Sequence, residues 1–290
     1  MAFEPPRRLV RALGDSDWLG QLPKLFDEAV SRYGLDVERV MAPGGRSGLV
    51  ALVRRPDGSP AALKIAPPFA APELERAALA RWDGFGAVRL LDGYDGVLLL
   101  ERLHPEVSVR SLPDSKALLE AAGTVRRLWV EPPAGHAFGT VADRTAAQAA
   151  ALSARADAGP PGLVAAALAA REELAATSPE LLLLHGNFRQ GKVLGGDRVP
   201  WLAVGPEPVV GERAYDVARL VRDRVEDLVA SASGPSAARR RVNRLADSLD
   251  VDPDRLRGWT LFRAVESGTR AVACGRGTEG ELALEFAGWL

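Results

Sequence analysis

Residues 181–216 read LLLLHGNFRQGKVLGGDRVPWLAVGPEPVVGERAYD, and this stretch decides the fold of the chain. The four leucines at its start predict a short buried strand, and a polar loop over residues 185–190 follows at once. A glycine turn at residues 195–197 then leads to residues 201–204, which are typical of a returning strand. Since a loop between short strands holds its side chains in fixed positions, we expect catalytic or binding groups here.

The frame of this stretch resembles the catalytic region of the aminoglycoside phosphotransferase family, most closely its streptomycin and hydroxyurea phosphotransferase branch. There the region reads roughly H-G-D-L-H-x-G-N-V-L, then I-D-P-K, then G-x-x-A-Y-D. His185 and Gly186 match the first motif, and Tyr215 and Asp216 match the last. The resemblance implies an α+β fold with two lobes, like that of protein kinases.

The three positions at which that family carries its catalytic groups are changed in this chain. Asn187 replaces the aspartate that accepts the proton of the substrate hydroxyl, while Lys192 and Gly205 replace a metal-binding asparagine and a metal-binding aspartate. An amide has no useful basicity near neutral pH, a lysine cannot ligate magnesium, and glycine offers no side-chain oxygen. We therefore expect that magnesium-dependent phosphoryl transfer is lost, although Lys192 can attract the phosphates of a nucleotide directly.

Other polar residues in or near the loop have alternative roles, structural or functional. His185 is open to an acid or base role, but the resemblance implies that it braces the backbone, and Asp216 is expected to be a buried brace too. Asp197 lies in a turn that favours aspartate for local hydrogen bonding. Asp197 and Glu207 are the nearest acidic candidates to replace the lost metal ligands, and of the two Glu207, which lies two residues beyond Gly205, is the expected surrogate. No other metal site is expected.

A second part of the resemblance concerns nucleotide binding. The expected binding residues are Gly45, Ser47, Lys64, Glu75, Glu101 and Leu103. A glycine-rich turn covers the phosphates, Lys64 on a following strand anchors them, and Glu75 pairs with Lys64. Glu101 and Leu103 mark the linker whose backbone binds adenine. The alternatives are a plain hairpin with a solvent-facing lysine, and a glutamate that serves only the dipole of its helix.

Hydrophobic periodicity predicts a mixed N-terminal lobe followed by a mainly helical lobe. The linker that the resemblance implies sets the boundary between them, which gives lobes over residues 1–102 and 103–290. An irregular lead over residues 1–15 precedes a helix that ends at Gly34, with Asp15, Ser16 and Asp17 as capping candidates. Strands are predicted at 49–54, 61–65, 87–91 and 96–101, the last two around a turn at 92–95. Helices are predicted at 72–81, 114–130, 144–156, 163–176, 217–230, 236–248, 254–273 and from 279.

Composition places the chain among ordinary globular proteins and limits its partners. Lys and Arg number 37 against 38 Asp and Glu, so the formal charge of −1 gives no reason to expect nucleic acid or a lipid surface. The single cysteine, Cys274, excludes an internal disulfide. No signal peptide or apolar run of about 20 residues is evident, which favours the cytoplasm.

Together these observations predict a pseudokinase-like protein of bacterial specialised metabolism. It would bind a small molecule in the interlobe cleft or a partner protein, and its cofactor would be ATP without magnesium or none. One variant is a nucleotide-independent reaction that uses Lys192, Asn187, His185 or Arg189. The alternative is an active ATP-dependent phosphotransferase that acts on a hydroxyl of an aminoglycoside-like antibiotic or related metabolite. The retained Lys64, Glu75 and Asp216 argue against a third possibility, a decayed relative without function.

Overall fold

The computed structural model describes residues 4–14 and 16–290, which form an α+β protein. The chain divides into two compact units, the first formed by residues 1–107 and 194–207 and the second by residues 108–193 and 208–290. The first unit therefore differs in extent from the predicted lobe of residues 1–102. Strand pairing explains the difference, because residues 104–108 pair with a later hairpin that joins the first unit.

The first unit is built on a five-stranded antiparallel sheet and three helices. In chain order its elements are α1 (Arg7–Leu13), α2 (Asp17–Tyr33), β1 (Asp36–Val40), β2 (Leu49–Arg54), β3 (Pro60–Ile65), α3 (Pro72–Trp82), β4 (Leu90–Tyr94), β5 (Val97–Glu101) and β6 (His104–Ser108). The large sheet has the order β1-β2-β3-β5-β4. A smaller sheet joins β6 to β8 (Val193–Gly195) and β9 (Trp201–Ala203).

The start of the first unit corrects one prediction and confirms another. Residues 7–13 form α1, so the predicted irregular lead is wrong there. Leu9 is fully buried and packs in a core cluster with Leu22 and Phe26 of α2, so tertiary packing supports a helix too short to stand alone. The capping group of α2 is Ser16, whose side chain accepts a hydrogen bond from the Leu19 N–H (3.4 Å). Asp15 lies outside the described residues.

The β4–β5 hairpin turns at a different place from the predicted turn at 92–95. Tyr94 pairs with Val97 in the register, so Asp95 and Gly96 form the two-residue loop. Both have positive φ angles, 35° and 85°, which a tight hairpin turn of this length requires. The Asp-Gly pair was thus the decisive turn signal, and the first strand lies at 90–94 and not at 87–91.

The second unit is mainly helical. Its elements are α4 (Asp114–Arg126), α5 (Val141–Ser153), α6 (Pro161–Ala176), β7 (Leu182–Leu184), β10 (Val209–Gly211), α7 (Arg213–Val221), α8 (Val225–Val229), α9 (Gly234–Leu249), α10 (Pro253–Ala273) and α11 (Gly277–Ala287). The helix predicted at 217–230 is two helices, because Arg224 has a left-handed backbone (φ 56°) that interrupts it. Over the described ranges, no helix combines the length and apolar character that crossing a membrane requires.

Candidate functional site

Lys64 and Glu75 form an ion pair in the first unit. Lys64 lies on β3, between β2 and β5 in the sheet, and its side chain is only 13% exposed. Its ammonium donates to Oε2 of Glu75, a buried residue of α3. The structure thus brings together the two residues that the sequence paired, and the alternative of a solvent-facing lysine is wrong. A largely buried lysine side chain that is fixed by a buried carboxylate is a preorganised positive charge.

The Glu75 carboxylate keeps one acceptor unused. Its Oε1 atom is buried, and no hydrogen-bond donor reaches it from the described residues. Leaving a buried acceptor unmatched costs about 1–3 kcal/mol. Since the helix dipole stabilises a first-turn carboxylate whether or not it is buried, it does not explain the burial of Glu75, whereas the direct bond to Lys64 gives this carboxylate a partner in the interior.

The glycine-rich turn before β2 is more exposed than Lys64. Gly45 and Ser47 are both exposed there. The strict requirement for glycine falls instead on Gly48, which is buried and which the sequence analysis did not single out. A Cβ at this position would stand 2.7 Å from the backbone oxygen of Ile65, so any side chain would push the start of β2 away from β3.

The linker residues have structural contacts of their own. Oε1 of Glu101 accepts hydrogen bonds from the Arg89 N–H (2.7 Å) and from Nη2 of Arg198 (2.8 Å). Nε of Arg198 also donates to Oε2 of Glu101 (3.2 Å), so the guanidinium binds both carboxylate oxygens. Leu103 is buried. The Glu101 side chain is therefore an anchor for this segment, and Arg198 is a partner that sequence reasoning missed.

In the second unit, Asp216 of α7 holds the loop after β7 through hydrogen bonds to its backbone. Oδ2 of Asp216 accepts the His185 N–H (2.9 Å), and Oδ1 accepts the Gly186 N–H (2.8 Å). Nε1 of Trp129 lies 3.4 Å from Oδ2. Asp216 is fully buried, and this burial raises the pKa of its carboxyl although the two N–H bonds act in the opposite direction. The predicted brace is confirmed.

His185 also supports the loop internally. It is fully buried, and its Nδ1 accepts a hydrogen bond from the Asn187 N–H (3.3 Å). Its ring meets the Phe188 ring edge to face, with the centroids 5.5 Å apart. These contacts favour the bracing role over an acid or base role. Asn187 itself is half-buried.

A second aspartate anchors the far end of the loop. Oδ2 of Asp223, which is buried, accepts the Gln190 N–H (2.6 Å). Nε of Arg224 donates to Oε1 of Gln190 (2.9 Å). Burial raises the pKa of Asp223 as well. No sequence signal pointed to either residue, since Asp223 and Arg224 lie 33 and 34 positions from Gln190 and outside the motifs quoted above.

The residues at the family's metal-binding positions do not fit magnesium. Lys192 ends a short 3-10 turn and presents an ammonium, and Gly205 presents no side chain. Within the described part of the chain, no three His, Cys, Asp or Glu side chains form a group that could hold a metal ion. Glu207 is exposed, and its surrogate role stays a prediction.

Comparison with known proteins gives consistent matches. Residues 33–275 match a family described as aminoglycoside/hydroxyurea antibiotic resistance kinase. Streptomycin 6-kinase of Streptomyces glaucescens is 33% identical over 89% of this chain and 86% of its own length. Hydroxyurea phosphotransferase of Kitasatospora aureofaciens is 37% identical over 85% of this chain and 72% of its own length.

Solved structures agree on the fold. A thermostable mutant of aminoglycoside phosphotransferase APH(4)-Ia, in complex with ADP and hygromycin B, has a TM-score of 0.61 at 17% identity, covering 90% of this chain and 96% of its own. Choline kinase LicA from Streptococcus pneumoniae has a TM-score of 0.60 at 11% identity, covering 93% of this chain and 100% of its own. At such identities the likeness shows the fold alone, which is the predicted kinase-like α+β fold.

Proposed function

Because the chain belongs to the aminoglycoside/hydroxyurea antibiotic resistance kinase family, we propose that it binds ATP and an antibiotic-like metabolite without magnesium-dependent transfer between them. The observation that carries this proposal is the contrast between a complete Lys64–Glu75 ion pair and the replacement of both the catalytic and the metal-binding aspartate of the family pattern by Asn187 and Gly205. Binding and transfer are separable, because different groups serve them.

Nucleotide binding is supported by the first unit. Lys64 is held in place by Glu75, so its charge is available at a fixed position and little side-chain entropy is lost when phosphates bind. Gly48 lets β2 begin directly beside β3. The residues just before it form the glycine-rich turn that the resemblance assigns to phosphate binding. The cofactor of this proposal is ATP without magnesium.

Loss of transfer is supported by the large rate loss expected when catalytic and metal-binding side chains are replaced. Relative to the family pattern, Asn187, Lys192 and Gly205 shift the formal charge by three positive units, one at each position. Removing a single preorganised electrostatic group from an active site slows an enzyme by about 10²–10³-fold. Three such changes leave little of a family kinase's rate, and the positive charge opposes magnesium binding.

The second candidate is an active phosphotransferase that acts on a hydroxyl of an aminoglycoside-like antibiotic or related metabolite. The comparisons support this candidate better than the first, since the relatives carry the names of kinases and phosphotransferases. A loose transition state also needs little proton abstraction, so Asn187 alone would not abolish transfer. The residues of the loop support the first candidate.

A transfer assay separates the two. The purified chain is incubated with ATP, magnesium and either streptomycin or hydroxyurea, the compounds that the relatives' names specify, and products are followed by mass spectrometry. The matched variant carries Asn187→Asp, Lys192→Asn and Gly205→Asp together. The first candidate predicts no phosphorylated product from the natural chain and a detectable product from the variant.

Phosphorylated product from the natural chain, at a rate that rises with magnesium, would overturn the first candidate and establish the second. Failure of the triple variant alone does not rescue the second candidate, because the result for the natural chain decides between them. The acceptor panel extends to other hydroxyl-bearing antibiotics, with binding followed by calorimetry in the absence of ATP.

A further inference from the structure

We infer that a pocket in the second unit, lined in part by the first residue of β7, is a binding site for a small aromatic carboxylate. The pocket has a volume of about 260 Å³, and its lining residues are Arg126, Trp129, Glu180, Leu182 and Arg213. None of them belongs to the proposed nucleotide site or to the loop of residues 185–192. The inference therefore goes beyond the proposed function and is tested without nucleotide.

The indole of Trp129 gives the pocket an aromatic wall. The residue is half-buried, and its Nε1 lies 3.4 Å from Oδ2 of the buried Asp216. The backbone oxygen of the next residue, Val130, accepts the Leu183 N–H of β7 (2.8 Å). These contacts, at the ring nitrogen and at the adjacent backbone, hold the ring before a ligand arrives. A preorganised aromatic surface loses little entropy when it binds.

The charges of the lining favour an anionic ligand. Both carboxylate oxygens of Glu180 accept hydrogen bonds from Nε of Arg213, at 2.9 and 3.0 Å, so these two residues satisfy each other. Arg126 is exposed in the last turn of α4, and among the described residues no acceptor bonds to its guanidinium. With two arginines against one glutamate, the lining attracts a monoanion and disfavours a cation.

The helix dipole alone does not account for the place of Arg126. A cation near the end of a helix is favourable in itself, and Arg127, the C-cap residue of α4, meets that requirement as well. Only Arg126 of the two lines the pocket. The two neighbours therefore separate an effect of the pocket from an effect of the helix end.

An aromatic carboxylate matches this combination better than a phosphoryl group or an aliphatic acid. A planar ring stacks on indole or meets it edge to face, and Leu182 adds apolar surface. A carboxylate accepts two parallel hydrogen bonds from one guanidinium, whereas a phosphoryl dianion would be repelled more strongly by Glu180. The volume lies below the roughly 300–1,000 Å³ of pockets for drug-sized ligands, which points to a small molecule.

Calorimetric titration of the full chain with benzoate, in the absence of ATP and magnesium, tests the site. We expect saturable binding that Arg126→Ala weakens by about tenfold or more, since a hydrogen bond to a charged group is lost. The matched control is Arg127→Ala, which removes the same charge from the adjacent exposed position and should leave the affinity unchanged. Because both side chains are exposed, neither variant should disturb folding. Benzamide, which lacks the charge, and acetate, which lacks the ring, should each bind more weakly than benzoate.

Tryptophan emission tests the location of the bound ring. Benzoate should change the emission of the natural chain, and this change should be lost in Trp129→Phe, which keeps an aromatic ring in the pocket. A change that persists in Trp129→Phe overturns the location.

The remaining outcomes also decide the inference. Failure of both benzoate and the larger 2-naphthoate to bind overturns it, as does equal benzoate affinity in the natural chain and Arg126→Ala. An equal loss in Arg127→Ala would show attraction by surface charge alone and overturns the site. Acetate that binds as tightly as benzoate overturns the aromatic class. No outcome depends on ATP, so the proposed function stands or falls separately.

Discussion

The Lys64–Glu75 pair of the first unit and the loop of residues 185–192 in the second unit are both held by buried polar contacts. They differ in what those contacts support. In the first unit the two charged residues that the resemblance assigns to nucleotide binding, Lys64 and Glu75, are themselves retained. In the second unit the supporting carboxylates are retained, because Asp216 and Asp223 accept backbone N–H groups of the loop. The residues at the family's catalytic and metal-binding positions in the loop are Asn187 and Lys192.

This difference shows that the residues that support a loop can be kept while the side chains at its family catalytic positions change. Buried carboxylates that accept backbone N–H groups are costly to lose, because each leaves donors unmatched in the interior. The working side chains of a catalytic loop contribute little to folding, so they can change without loss of the fold. The structure therefore retains the backbone supports of the loop, and another use of the loop belongs to the proposed function.

The largest effect is expected from breaking the support of the loop. Asp216→Ala removes the acceptor of two buried N–H groups, from His185 and Gly186, and should lower the free energy of unfolding by about 2–5 kcal/mol. Urea denaturation measures it. The matched control, Asp247→Ala at an exposed position on α9, should change stability by no more than about 0.5 kcal/mol. Equal losses in the two variants would show that Asp216 is not a brace.

The next effect comes from the ion pair of the first unit. Lys64→Met leaves the Glu75 carboxylate buried without its cation and should cost about 3 kcal/mol in unfolding free energy. The double variant Lys64→Met, Glu75→Leu removes the uncompensated charge as well and should recover most of that loss. Additive losses in the double-mutant cycle would show that the two residues are not coupled.

The pKa of Asp216 predicts a pH dependence that sharpens the comparison. Burial raises the pKa of Asp216 in the folded state above its usual 3.8. Between pH 3.8 and the folded-state pKa, the folded chain therefore binds more protons than the unfolded chain. The contribution of Asp216 to stability is therefore largest below about pH 4 and is lost as pH rises through the folded pKa. Urea denaturation of the natural chain and of Asp216→Asn should show a difference that shrinks with rising pH. A difference that grows would mean that the N–H bonds outweigh burial.

The smallest effect is expected at the linker of the first unit. Arg198→Gln removes both hydrogen bonds to Glu101 and should cost about 1 kcal/mol, because the pair is partly exposed. Arg257→Gln removes a partner of the exposed Asp254 and serves as the matched control, with a loss of no more than about 0.5 kcal/mol. If the two losses are equal, the Glu101 anchor contributes no more than a surface pair.

Local signals in the sequence were enough for much of the fold. Alternation and turn residues placed β2 and β3, and Gly34 marked the end of α2, where its positive φ of 60° closes the helix. Local signals failed where tertiary packing decides. Helix α1 exists because Leu9 is buried in a core built by distant residues, and seven residues carry too little periodicity to reveal that.

The same distinction holds for the candidate site. Lys64, Glu75 and Asp216 could be located because they lie in motifs that survive in this chain. Arg198 and Asp223 could not be, since each acts on a residue far away in sequence, Glu101 and Gln190 respectively. No spacing rule links such pairs, so only the folded structure brings them to notice.

The central claim is that this chain retains a nucleotide site and has lost its use of magnesium. Thermal unfolding with ATP, with and without magnesium, tests it most directly, because a ligand that binds the folded state raises stability. We predict a rise with ATP that is independent of magnesium and disappears in Lys64→Met. A rise that occurs only when magnesium is present would contradict the claim and point to an intact metal-dependent kinase.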